Sequence, residues 1–440
     1  MTLRYSIRGS NAKEIAASVE HAMLRGELAP GERLPAVRVL AARLRVSAAT
    51  AACAYRYLKI RGLVVAEGRG GTSVSQQPPL ATRLAPPLPA GARNLAEGGP
   101  DPRLLPALDS VVAHLRLHPR MYGEPYNDAR LLELAQRMFA ADGIVGGPIA
   151  IVGGALDGVE RVLRARLRVG DRVAVEDPGY HLVFDLLKAL GLSAVPIGLD
   201  GFGLLPDQLE QALKRGLDAL ILTPRAQNPT GAALDRARAD ELRRVIRAYP
   251  EVLVIEDDHA GPIAGTPAFT LTGSGRARWA VVRSLSKWLG PDLRVAFLTG
   301  DELTIGRVEG WQRLGTGWVS NLLQQMVVAL WSTGGTTSLI GKAAKTYQAR
   351  RAALVRELAC LGIEAYGRSG LNVWVPVAEE VVVVRSLLEA GWAVAAGERF
   401  RIRSTPAVRV SIGNLQAFEA RRLAADFARC LAPRRAVYSA

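Results

Sequence analysis

Lysine is scarce in this 440-residue chain: 7 lysines stand against 49 arginines. Arginine serves wherever a plain positive charge suffices, so a retained lysine raises the question of what its amine does that a guanidinium cannot. An amine can lose its proton when desolvated and attack a carbonyl, whereas a guanidinium stays protonated. Cysteine is nearly missing as well. Cys53, Cys360 and Cys430 are odd in number, far apart and free of any C-x-x-C pair, which excludes a disulfide scaffold and a thiolate zinc site. No metal is expected, and a reducing cytoplasm fits. The N-terminus, MTLRYSIRGSNAKE, lacks the apolar core of a signal peptide. The longest uncharged stretch, Leu314 to Gly341, holds two glutamines, an asparagine and a GGTTS cluster, and reads as a buried helix rather than a membrane span.

What is present is an ordinary globular composition, 49% hydrophobic and 22% charged, long enough for two or three domains. The net charge of +15 is uneven. Residues 1–75 hold twelve basic and five acidic side chains, which suggests an anionic partner for the N-terminal part.

Residues 11–27 place Ile15, Val19, Ala22 and Met23 on one helical face, and the helix ends near LAPGERLP. A second helix spans AVRVLAARL, residues 36–44. Ser47 then caps a third that runs toward Gly62. LVVAEGRGGTSVS follows, two β-prone runs joined by a glycine-rich turn with Arg69 and Gly70 at its tip. Such a unit binds DNA or docks a protein, and the charge favours DNA. The segment also resembles the GntR-type winged helix, through GELAPGERLP, VRVLAARLRVS, AYRYLKIRGL and GRGGTSV. That resemblance implies Arg33 and Arg38 near the phosphate backbone, Ser47 and Thr50 at the start of the recognition helix, and residues 69–72, with Arg69 and Gly70, as the wing. Arginine can grip phosphate or guanine with two nitrogens, and small hydroxyls reach backbone oxygens. Ala48 stands where that family commonly has arginine after the capping serine.

The organisation expected is a winged helix over 1–75, a proline-rich linker over 76–95, a large α/β domain over 96–330 and a smaller α+β domain over 331–440. The linker rests on QQPPLATRLAPPLPAGAR, with five prolines in residues 76–93. Beyond it, short apolar strands alternate with amphipathic helices, the pattern of a mainly parallel sheet.

Ligands tend to bind such sheets at the carboxyl ends of the strands, and the polar motifs fall there. Gly153, Gly154 and Ala155 follow IAIV; Tyr180 follows RVAVEDPG; RAQNPTG, with Arg225 and Asn228, follows ALILTP; Asp257 and Asp258 close LVIEDD; and Ser284, Ser286 and Lys287 follow AVVR, with Arg294 seven positions on. Lys287 thus reads as a Schiff-base residue. The order resembles the fold-type I aminotransferases over most of residues 96–440. The resemblance implies pyridoxal 5′-phosphate on Lys287, with Asp257 at the pyridine nitrogen, Asn228 at the phenolic oxygen and Tyr180 stacked on the ring. Ser284, Ser286, Arg294 and the Gly154 and Ala155 backbone would surround the phosphate. In AVRVSIGN, Arg409 would grip a substrate or effector carboxylate, and Tyr122 in RMYGEP would reach the phosphate of a second subunit, implying a homodimer.

Two residues depart from that pattern. EDDHAG carries His259 where the family more often has tyrosine, so the bond to the phenolic oxygen would depend on pH. Arg225 adds positive charge beside the cofactor and would favour an anionic ligand. The two halves together resemble the MocR/GabR-type transcriptional regulators. Their aminotransferase-like body implies a sensor of an amine, an amino acid or pyridoxal phosphate itself that alters DNA binding, rather than a physiological enzyme. The other reading is a working aminotransferase with an appended interaction module. EDDHAG and GGPDPRLLP point toward a vitamin B6-related branch.

Overall fold

Both expected parts, a three-helix unit with a hairpin and an α/β body, are present in the computed structural model, which describes residues 6–60, 62–66, 71–75, 88–113, 115, 120–272 and 275–431. The first unit contains α1 (Ala12–Leu24), α2 (Val37–Leu44), α3 (Ala48–Ile60), β1 (Val64–Ala66) and β2 (Thr72–Val74). Ile15, Val19 and Ala22 from α1 meet Leu40 from α2 and Ala51, Ala54 and Leu58 from α3 in one core. Each fully buried aliphatic side chain of this size stabilises by about 1.5–3 kcal/mol.

Local chemistry sets the ends of these helices. The Asn11 side-chain oxygen accepts from the Lys13 and Glu14 amides at 3.1 and 3.0 Å. Ser47 Oγ accepts from the Thr50 amide at 3.0 Å, so Ser47 is the cap of α3. Between α2 and α3 the chain reverses through Arg45, a non-glycine residue in the left-handed region at φ 55°. β1 and β2 pair antiparallel, and Arg33 bridges to Ser73, extending the hairpin by one edge. The hairpin tip with Arg69 and Gly70 lies outside the described residues.

The body begins with β3 (Arg93–Asn94), α4 (Asp109–Val112) and α5 (Ala129–Ala141). It continues through β4 (Ile149–Val152), α6 (Ala155–Arg166), β5 (Arg172–Asp177), α7 (His181–Ala189), β6 (Ser193–Asp200), β7 (Gly203–Leu204), α8 (Pro206–Lys214), β8 (Ala219–Leu222) and α9 (Arg236–Arg247). β9 (Leu253–Asp258), β10 (Trp279–Ser284) and β11 (Ala296–Gly300) complete an eight-stranded sheet in the order β4, β11, β10, β9, β8, β5, β6, β7. β8, β9 and β10 are parallel, and β11 runs antiparallel to both β10 and β4. The carboxyl ends of β4, β8, β9 and β10 therefore share one edge. These central strands are almost wholly buried, and apolar until their carboxyl ends, as a covered parallel sheet requires.

The remainder comprises α10 (Glu302–Leu314), α11 (Asn321–Ser332), the long α12 (Gly334–Cys360), β12 (Asn372–Pro376), α13 (Glu380–Glu389), β13 (Trp392–Ala393), β14 (Ala395–Ala396), β15 (Ala407–Ser411) and α14 (Ala420–Leu431). β12, β15 and β14 form a small antiparallel sheet. β3 pairs with β13, so residues 93–94, at the end of the proline-rich segment, are held by a strand from the far end of the chain. The uncharged stretch 314–341 holds two helices, not one: α11 ends at Ser332 with Thr333 as its cap, and the Gly334–Gly335 pair opens α12. No helix among the described residues is long and apolar enough to cross a membrane. No cluster of potential metal ligands occurs among them.

Replacing Ser47 by alanine should cost the α3 amino terminus about 1 kcal/mol, because one orphan amide loses its acceptor. Hydrogen exchange at the Thr50 amide in the full-length chain is the measurement, with Ser47→Asn expected to retain protection.

Candidate functional site

Lys287 sits in the turn that follows β10, at the shared carboxyl edge of the sheet. Its Nζ donates to the Gly98 carbonyl at 2.6 Å. Burial, aided by the nearby charge of Arg409, lowers its pKa to about 8. A fraction of roughly a tenth is then neutral at pH 7, far more than for an ordinary lysine.

At the same sheet edge, α6 starts directly after β4, with Gly153 and Gly154 as the connection. Gly154 adopts φ 117°, and a Cβ there would lie 2.5 Å from Arg294 Nη2. Only glycine lets the guanidinium close over this helix amino terminus. Arg294 also donates to the Gly153 carbonyl at 3.2 Å. Ser284 and Ser286 are buried beside Lys287, with Ser284 Oγ accepting from the Ser286 amide at 3.2 Å. A helix amino terminus, an arginine and two hydroxyls are groups able to hold a phosphate.

β9 ends in three consecutive buried acids, and alternation along the strand sends them to different surroundings. Glu256 accepts from Thr270 Oγ1 and the Leu271 and Thr272 amides, while burial raises its pKa to about 7. Asp258 is buried, yet Arg225 and Arg283 hold it well below the usual carboxylate range. Asp257 is 8% exposed, and its Oδ1 has no hydrogen-bond partner among the described residues. Burial and the neighbouring Asp258 push its pKa up to about 7. A donor carrying positive charge, brought from outside, would satisfy this oxygen and restore the ionised form.

The other walls carry the polar groups of the pocket. Arg409 on β15 donates from Nη1 to Asn228 Oδ1 at 2.9 Å and from Nη2 to the Ala96 carbonyl, and its guanidinium lies 4.5 Å from the centre of the Phe400 ring. Its Nε is buried without a partner among the described residues, and burial lowers its pKa to about 10. Asn228 also accepts from Asn372 Nδ2 at 3.3 Å. Tyr180, just past β5, lies in the fields of Asp257, Arg409 and Arg294, and burial raises its pKa. The main chain at Ala96 and Gly98 and the side chain of Asn372 were not singled out from sequence. A carbonyl leaves no residue-type signal, and Asn372 is one asparagine in an otherwise apolar strand.

Two residues behave differently from their sequence expectations. Arg225 does not face a ligand: its guanidinium donates to Asp258 at 3.0 and 2.8 Å and to Asp142 at 3.1 Å. Arg283 binds the same two carboxylates at 2.8 and 2.6 Å. The positive charge expected to attract an anion is consumed inside a cluster of two arginines and two aspartates. His259 bonds through Nε2 to the Ala226 carbonyl at 2.8 Å, and burial with Lys287 nearby lowers its pKa to about 4. It is neutral throughout the physiological range, so the pH-dependent bond expected of it has no basis, and its Nε2 proton is already engaged.

On the first unit, Arg33, Arg38 and Ser47 are exposed and Thr50 is half-buried. Arg43, Arg45 and Arg56 are exposed as well, a basic contribution visible in the sequence only as net charge. Ala48 and Ala49 present no hydrogen-bonding side chain at the exposed start of α3. Tyr122 is 90% exposed and lies edge-on to Trp318 at 5.9 Å.

Residues 133–427 match the family model for aminotransferase class I and II, and residues 11–74 match that for bacterial regulatory proteins of the gntR family. The chain is similar to the vitamin B6 salvage pathway transcriptional repressor PtsJ of Salmonella typhimurium, with 37% identity over 97% of this chain and 99% of that protein. It is also similar to the HTH-type transcriptional regulator TauR of Rhodobacter capsulatus, at 28% identity over 83% of each. Among solved structures, Pyrococcus horikoshii kynurenine aminotransferase shares the fold, with a TM-score of 0.71 over 78% of this chain and 91% of that one at 20% identity.

The ion cluster around Asp258 yields an expectation independent of any ligand. Asp258→Asn should destabilise the chain by about 3–5 kcal/mol, because two buried arginines lose a shared counter-ion. The folded pKa of Asp258 is depressed, so its contribution is complete above the ordinary aspartate range of about pH 4 and fades as pH falls below it. Urea denaturation of both chains across that range measures the difference, which should shrink in acid.

Proposed function

The chain belongs to the class I and II aminotransferase family, in the regulator group that carries a gntR-type module ahead of the aminotransferase-like body, and we propose that it senses vitamin B6 status by holding pyridoxal 5′-phosphate at Lys287. It is a transcriptional regulator, and gntR-type modules bind DNA. The observation that carries the sensing proposal is the unpartnered Asp257 Oδ1 at the same sheet edge as the Lys287 amine and the Gly154 cradle. A buried carboxylate without a donor is costly, and a pyridinium N–H answers that need in both charge and hydrogen bonding.

When bound, the cofactor supplies an aldehyde carbon open to amines and a ring that withdraws electrons. The protein's residues do the rest. Asp257 would keep a proton on a bound ring's nitrogen, and Tyr180 would pack against the ring. Gly154, Ala155, Ser284, Ser286 and Arg294 would hold the phosphate, and Asn228 would hydrogen-bond the phenolic oxygen. Lys287 provides the amine, with its pKa of about 8 keeping a reactive fraction near neutrality. Arg409, with an unpartnered Nε, is the group for an effector carboxylate. The exposed ring of Tyr122 is free to reach a second copy, which supports a homodimer with shared sites.

At the other end, Arg33 and Arg38 supply phosphate contacts and Ser47 with Thr50 starts the recognition helix. Two alanines at the head of that helix leave base recognition there to apolar contact or to DNA shape. The cytoplasm, where DNA is reached, is the place of action. The name of the Salmonella relative, a repressor of vitamin B6 salvage, supports pyridoxal phosphate itself as the signal.

In the full-length protein with added pyridoxal phosphate, borohydride reduction should leave a stable label on Lys287, and Lys287→Ala should abolish it. A label on another lysine sinks the assignment. Added cofactor should change affinity for the chain's own upstream DNA at least several-fold. Arg33→Ala should weaken binding across sequences and reduce the salt slope by about 1. Steady exchange between an amino acid and a keto acid, lost in Lys287→Ala, with DNA affinity indifferent to cofactor, would instead assign a working aminotransferase.

A further inference from the structure

Two adjacent arginines on α12 hold two different segments that line the Lys287 site. Arg350 donates to Asp101 Oδ2 at 2.9 Å and to the Gly413 carbonyl, and Tyr347, one turn earlier, accepts from the Asp101 amide at 2.9 Å. Asp101 anchors the segment whose Ala96 and Gly98 carbonyls receive Arg409 and Lys287. Arg351 is 5% exposed and binds three main-chain carbonyls, Gly367 at 3.1 Å, Arg368 at 3.1 Å and Gly370 at 2.6 Å. No carboxylate pairs with it among the described residues, and burial lowers its pKa to about 10.

The 367–370 segment is in turn fastened to the turn that carries Asn228. The Arg368 and Ser369 amides donate to the Gly231 carbonyl at 3.1 and 2.8 Å. Ser369 Oγ accepts from the Ala226 amide at 3.2 Å, and the Ala226 carbonyl takes the His259 imidazole. Gly231 and Gly370 each leave no room for a Cβ at this junction. Consecutive helical residues point about 100° apart, so neighbours at 350 and 351 diverge toward separate walls while sharing one rigid backbone.

We propose that Arg350 and Arg351 are positioning residues that tie the two walls of the ligand pocket to α12: Arg350 sets the 96–101 segment over Lys287 and Arg409, and Arg351 sets the 226–231 turn that carries Asn228. A buried guanidinium with three carbonyl acceptors and no counter-ion is a poor way to stabilise a fold. It is a good way to hold three peptide units in fixed relation, which a lysine ammonium on one flexible stem does not reproduce. Any displacement of either wall on ligand binding is thereby passed to α12, and through α12 to the other wall. The assignment holds whichever ligand the pocket takes.

The test uses the full-length chain without added ligand and two readouts, one per wall. The first is the midpoint of Lys287 acylation against pH, mapped by peptide mass; the charge facing this amine is Arg409, and its acceptor is Gly98. The second is the His259 Nε2 proton, observed by NMR at neutral pH in ¹⁵N-histidine-labelled protein; the charges facing this ring are Lys287 and Asp258. Arg350→Lys should admit water over Lys287 and raise its midpoint by about half a pH unit or more toward the free-lysine value, leaving the His259 proton protected. Arg351→Lys should lose the His259 proton to exchange and leave the Lys287 midpoint in place. Folded variants that move both readouts together, or neither, overturn the proposal. Should either variant fail to fold, Asp101→Asn tests the first wall and Ser369→Ala the second, with the same selective outcomes expected and an unchanged readout at the matching wall overturning it.

Discussion

Three successive carboxylates at the end of β9 must be accommodated inside the protein, and each is met in a different way. Glu256 takes hydroxyl and amide donors, Asp258 takes two arginines, and Asp257 Oδ1 takes no donor among the described residues. The alternation of a strand produces this division, because 256 and 258 share one face and 257 faces the other. Asp258 then organises the ground beneath the site. By gathering Arg225 from the end of β8, Arg283 from β10 and Asp142 from the end of α5, it fastens neighbouring elements with charge-assisted bonds. On the opposite side of the same strand, an oxygen is left for a visitor.

The pocket built on that base is closed by main chain as much as by side chains. The carbonyls of residues 96 and 98 occupy Arg409 and Lys287, so a ligand carboxylate or carbonyl must compete with the protein's own backbone. For a regulator, this competition is useful. A binding event that displaces backbone carbonyls moves a segment of chain, whereas one that fills a preformed cavity moves little, and only differential contact with two arrangements shifts a population. The long α12 is bonded directly to Asp101 in the first segment and, through residues 367–370, to the turn that carries Asn228.

Much of this site was legible in the sequence, because an α/β sheet places the residue after each strand at the same edge. Gly154, Tyr180, Asn228, Asp257 and Lys287 could be read as neighbours from five short motifs without knowing any distance. The winged unit was legible for a similar reason: Ser47 caps α3 through an interaction three residues long. Arg225 was misread because its partner Asp142 lies 83 positions away and nothing local announces a long-range pair. His259 was misread because its protonation depends on burial, which is a property of the packed body. The stretch 314–341 was misread as one helix because the break at Thr333 rests on two glycines whose effect depends on where the chain must turn.

By itself, then, the sequence determined which elements form, which strand ends carry chemistry and that a lysine retained among arginines has a reason to be an amine, since these follow from periodicity, capping and residue type. Only the tertiary structure decided which charges are spent and which are left over. Arg225 and Arg409 are the same residue type in similar settings, yet one is neutralised by two aspartates and the other meets an amide oxygen, a carbonyl and an aromatic ring. The physical reason is that desolvation and ion pairing depend on everything that surrounds a group in space, and those neighbours come from segments hundreds of residues apart.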